Sequence, residues 1–167
     1  MTMSITKNLL KELTEESVVT RKMLERIPAD QYEWRPHPKS MSIHQLAGHI
    51  AELPGWVSMA FTTDEIDFAT SGYKPLEWSS NAELLEHFEK ALAGGQQQLE
   101  SSSDEDLNPR WVLRNGDQIF LDITKGGMVR NALSQTIHHR AQLGVYLRLL
   151  NIPIPGTYGP SADEQGF

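Results

Sequence analysis

Gln135 and His139 stand four residues apart in the stretch TKGGMVRNALSQTIHHRAQLGVYLRLL, residues 124–150, and His49 stands in a second apolar-patterned stretch far upstream. Side chains at i and i+4 share one face of a helix, and imidazole nitrogens and an amide oxygen are donors that borderline divalent ions accept. Two such groups from one helix and a third from a neighbour could hold zinc or nickel with positions left open for a substrate or water. An amide is a weaker, neutral donor than a third histidine, so modest affinity is expected. The competing structural reading makes each histidine an inward, hydrogen-bonded core residue.

Helical phase decides which residues can meet. At about 100° per residue, Met128, Ala132, Gln135, His139, Leu143, Tyr146 and Leu150 fall in one stripe. A second helix, expected over 42–61 from a Ser40 or Ser42 cap, groups Leu46, Leu53, Trp56 and Ala60 with His49, while His44 points about 140° away. Pro54 has no N–H for the carbonyl of Ile50, which predicts a bend just after His49. Glu52 offers a carboxylate as alternative ligand or general base, and His138 an alternative ligand or a hydrogen-bonding partner of one.

The other elements set these two helices. Ser4 caps a helix expected over 4–27, patterned by Leu9, Leu13, Met23 and Ile27 and ended by Pro28. A third is expected over 81–100, with Leu84, Phe88, Leu92 and Leu99 on one face and Gly94-Gly95 weakening it. Residues 62–80 read as an irregular connection, and Asn115-Gly116 reads as a hairpin-type turn between short strands. The tail, 151–167, is expected to fold back through Ile152, Ile154 and Tyr158. The expectation is one all-α domain over 1–167, a four-helix bundle with long irregular connections and helices over 4–27, 42–61, 81–100 and 124–150. Residues 62–80 and the tail would roof a pocket in which Trp56, Tyr146 or Tyr158 contacts substrate.

Composition narrows the partners. Fifteen basic against 22 acidic residues give a net charge of −7 without a Lys/Arg cluster, so no nucleic-acid partner is expected. The chain has no cysteine, so a metal would be held by nitrogen and oxygen donors alone. No run approaches the roughly 18 apolar residues of a membrane span, and a cytoplasmic protein with no membrane association is expected.

WRPHPKSMSIHQLAGHI near the start, QTIHHRAQLGVYLRLLNIPIP near the end and the closing YGPSADE together resemble the DinB/YfiT-like family of four-helix-bundle metalloproteins. The resemblance implies a divalent metal on one histidine of the second helix and two histidines four apart on the last, the second directly before an arginine. It thereby implies ligands at His49 and His139, with Gln135 where the family usually has histidine. It further implies a homodimer and a metal-dependent enzyme, either a thiol-dependent transferase or isomerase or a hydrolase. The alternative is a degenerate, non-catalytic member that binds a small molecule or serves as a dimeric module. Arg140 is read as structural, pairing with an acidic residue or an interface, and both it and Gln142 are expected to face away from His139.

Overall fold

The computed structural model describes residues 4–165 and contains four long helices: α1 (Ile5–Leu24), α2 (Ile43–Thr62), α3 (Asn81–Ser101) and α4 (Lys125–Leu149). Residues 166–167 of the expected tail lie outside the described residues. Each helix begins on a hydroxyl cap: Ser4, Ser42, Ser80 and Thr124 accept hydrogen bonds from the backbone N–H groups of Lys7, Gln45, Glu83 and Gly127. At α2 the Gln45 side chain also accepts from the Ser42 N–H at 3.0 Å, completing a capping box. α1 ends at Leu24 instead of Ile27, because the N–H groups of Arg26 and Ile27 turn back to the carbonyls of Met23 and Leu24 ahead of Pro28.

α2 packs against α3 and α4, and α1 packs against the same two, so the helices follow one another round the bundle as α1, α3, α2, α4. Between them lie Leu24, Ile43, Leu46, Ile50, Leu84, Phe88, Leu99, Met128 and Leu133, all fully buried. Burial of each contributes about 1.5–3 kcal/mol. α2 runs unbroken through Pro54, and its partner across the interface is Gly95: a Cβ there would stand 2.6 Å from the Pro54 carbonyl oxygen. The glycine read as a weak point of α3 is therefore what lets α3 lie on the backbone of α2.

The all-α expectation is incomplete. A sheet of β1 (Glu65–Asp67), β2 (Arg110–Asn115) and β3 (Gln118–Thr124) accompanies the helices, in the order β1-β2-β3. β2 and β3 form the antiparallel hairpin signalled by Asn115-Gly116, with Gly116 at φ 57° and a register shift between Leu113 and Arg114. β1 lies within the connection expected to be irregular and pairs in parallel with β2. Asp67 fixes that pairing. Its carboxylate accepts from the N–H groups of Gly116 at 2.9 Å and Ala69 at 3.0 Å and pairs with Arg114 at 2.9 Å. Trp111, fully buried, anchors the sheet to the core and donates through Nε1 to Thr63 Oγ1 at 3.0 Å. Among the described residues no helix is long and apolar enough to cross a membrane.

Candidate functional site

Because α2 and α4 are neighbours, His49 and His139 meet, their ring centroids 4.9 Å apart and their planes at 73°. His49 Nδ1 lies 2.8 Å from Glu52 Oε1, one turn further along α2, and Tyr73 from the 62–80 connection donates its hydroxyl to the same oxygen. An imidazole whose Nδ1–H is held by a carboxylate presents a lone pair at Nε2. Burial first, then the Glu52 hydrogen bond and charge, push the Tyr73 hydroxyl far above its ordinary pKa, so it stays a donor.

His139 is held by its own helix. Nε2 lies 2.9 Å from Gln135 Oε1, and Nδ1 lies 2.7 Å from Gln142 Oε1. Burial lowers its pKa below the ordinary imidazole value. Gln142 opposes that shift, and the neighbouring His49 and His138 reinforce it. Both contacts are hydrogen bonds at once only in the imidazolium, so the neutral ring that burial favours has a nitrogen lone pair to offer.

The donor chemistry fits a borderline divalent ion. His139 Nε2 and Gln135 Oε1 are 2.9 Å apart, a hydrogen-bond distance. With Nδ1 on Glu52, Nε2 is the His49 nitrogen that would be available to an ion. Among the described residues no group of three His, Cys, Asp or Glu side chains is arranged so that it could hold a metal ion. A cavity of about 480 Å³ adjoins the site, lined by Arg35, Lys39, His44, His49, Glu52 and Tyr73 among others.

A model of the DinB family matches residues 1–165. The chain belongs to the DinB family. No curated protein sequence matches it. Its fold is similar to a DinB-like protein from Bacillus cereus, with a TM-score of 0.71 at 19% identity over 95% of this chain and 100% of that one. A DinB-like protein from Bacillus subtilis gives a TM-score of 0.65 at 22% identity, covering 88% and 96% of the two chains. The colibactin self-resistance protein ClbS, solved in complex with a double-stranded DNA, gives 0.56 at 18% identity, covering 89% of this chain and 98% of that one. At these identities the likeness is one of fold.

In this DinB chain, His49, Gln135 and His139 do converge, and Glu52 is drawn in as the partner of His49 Nδ1. His138 is exposed and touches the cluster through the edge of His139, ring centroids 4.9 Å apart. Trp56 stands edge-on to His49 at 5.9 Å. Tyr146 does not line the cavity: it is buried edge-to-face against Trp34 at 5.6 Å. Tyr158 is not a pocket residue either. The tail lies on α1 and α4, where the Tyr158 hydroxyl meets Arg140 Nη2 and Glu16 Oε1, each at 2.8 Å.

The roof is built by residues 62–80 without the tail, through Tyr73, Pro75, Leu76 and Glu77. That connection also overturns the outward reading of His44. Trp78 stacks on the His44 ring at 4.7 Å and accepts from its Nε2 with the main-chain oxygen at 2.8 Å. Gln142 likewise faces His139, as an i+3 neighbour can. Arg140 is structural, as expected, and paired with Glu16 at 2.6 Å. Tyr73 carried no signal in the sequence, because it sits in a connection without a period.

Proposed function

We propose that this DinB protein binds a divalent ion, zinc or nickel, between α2 and α4 through His49, His139 and Gln135, and is an enzyme of thiol-dependent transfer on a small molecule in the adjoining cavity. The observation that carries this reading is the meeting of His49 and His139 from separate helices, with His49 Nδ1 already held by Glu52. When bound, the ion supplies Lewis acidity toward a substrate sulfur or oxygen. Glu52 orients His49, and Tyr73 in turn holds Glu52. Lining the cavity, Glu52 is also the group placed to take the proton of a bound thiol, or of water if the reaction is hydrolysis.

A second reading is favoured by one observation: both nitrogens of His139 are engaged by glutamine side chains. It describes a non-catalytic member that binds a small molecule without metal. Elemental analysis of protein purified without chelator or nickel resin separates the two. The metal reading expects near-stoichiometric ion that His49→Ala and His139→Ala each abolish, and at least about tenfold tighter zinc binding in Gln135→His. Metal-free protein that takes up zinc only as Gln135→His establishes the second reading. The proposal includes a homodimer formed through the exposed Val145 and Leu149 of α4, which size-exclusion chromatography with light scattering checks. The chain's net charge of −7, without a Lys/Arg cluster, disfavours nucleic acid as a partner.

A further inference from the structure

Of the eight arginines in the chain, seven are ion-paired: Arg21 with Glu89, Arg26 with Glu164, Arg110 with Asp122, Arg114 with Glu65 and Asp67, Arg130 with Glu12, Arg140 with Glu16, and Arg148 with Asp163. Arg35 has no carboxylate partner among the described residues, and it lines the same cavity as His49. Lys39 lines that cavity as well and is equally without an ion pair among the described residues. Carboxylates are not scarce in a chain with 22 acidic and 15 basic residues, yet this exposed arginine lines the cavity without one.

The backbone beneath Arg35 is fixed. The Trp34 carbonyl accepts from the Ile43 N–H at 3.0 Å, the Tyr32 carbonyl accepts from the His44 N–H at 2.8 Å, and Pro36 confines Arg35 to extended backbone. The guanidinium itself is uncommitted. Its planar fork matches a carboxylate in two parallel hydrogen bonds. Of the two carboxylates of the cavity, Glu52 is held by His49 and Tyr73, while Glu77, its side chain 88% exposed, extends toward solvent 3.9 Å from His44. The lining also holds apolar side chains, Pro38, Met41, Pro75 and Leu76, beside the polar Ser40 and Gln45. The cavity volume of about 480 Å³ is that of a small-molecule site.

We propose that Arg35, with Lys39 of the same lining, binds the carboxylate of a small substrate whose apolar body lies along these apolar side chains and whose reacting end reaches His49. The identity of the reacting end rests on the metal reading above; the carboxylate subsite does not. Isothermal titration of the full chain with phenylbutyrate and with its neutral amide tests it. The acid is expected to bind at least about tenfold more tightly than the amide. Arg35→Gln lowers the acid to the level of the amide and leaves the amide unchanged, whereas Lys7→Gln, which removes an exposed cation elsewhere, alters neither. Equal affinity for acid and amide, an acid preference that survives Arg35→Gln, or no binding of the acid overturns the proposal. Zinc uptake by the same proteins keeps the two readings apart. Arg35→Gln takes up zinc as the natural chain does, and His49→Ala loses zinc while retaining the preference for the acid.

Discussion

His139 and Arg140 are consecutive residues of α4, and they serve opposite ends. Turned about 100° apart, one ring faces α2 and the other side chain faces α1. Arg140 is 2% exposed and fully engaged: Nη1 donates to Thr20 Oγ1 at 3.0 Å and the Glu16 carbonyl at 3.2 Å, Nη2 meets the Tyr158 hydroxyl at 2.8 Å, and Glu16 Oε2 neutralises it at 2.6 Å. His139 is half-exposed and meets amides that leave a lone pair unused in the neutral ring. A polar group whose capacity is spent holds structure. One with capacity left over can hold something else.

Stability measurements can break this contrast. Arg140→Met leaves the Glu16 carboxylate and the Tyr158 hydroxyl without their cation, and the expected loss is about 3–5 kcal/mol in urea unfolding. His139→Ala, in metal-free buffer, is expected to lose less than about 1 kcal/mol. Comparable losses for the two would erase the distinction. A smaller effect sharpens it: Tyr158→Phe removes two hydrogen bonds from the tail and is expected to lose about 1 kcal/mol by the same measurement, with zinc uptake unchanged.

The smallest effect concerns Asp67, which like Arg140 is fully engaged. The Gly116 N–H first, then the Ala69 N–H and Arg114, hold its carboxyl below the usual carboxylate range. A folded pKa below the unfolded one means that the unfolded chain binds the proton first. The contribution is therefore present above the ordinary value of about 3.9 and is lost as pH falls through the lower folded value. The gap in urea midpoint between the natural chain and Asp67→Asn should be present at about pH 6 and should shrink by about pH 3. A gap that does not change with pH counts against this assignment.

Helical period made much of the site legible. His49 and His139 fall on the inward stripes of α2 and α4, and the Ser42 cap, the Asn115-Gly116 turn and the structural reading of Arg140 follow from local chemistry. What period cannot express is which connection lies over which helix. β1 is three residues long and pairs with a strand more than 40 positions away, which no local pattern encodes. Trp78 over His44, Tyr73 against Glu52 and the tail carrying Tyr158 away from the cavity belong to the same class. Gln142 was missed for a different reason: a long amide side chain reaches an i+3 neighbour off its own stripe.

The contact between Glu16 and Tyr158 spans 142 residues, and that between Thr20 and Arg140 spans 120. At about 5–20 residues per second, a ribosome delivers α1 on the order of ten seconds before the cation that neutralises Glu16 exists. Throughout that interval Glu16 is a solvated acid without its cation, and the α1–α4 contact at this corner cannot yet form. The order of synthesis thus sets the earliest moment at which this corner of the bundle can close.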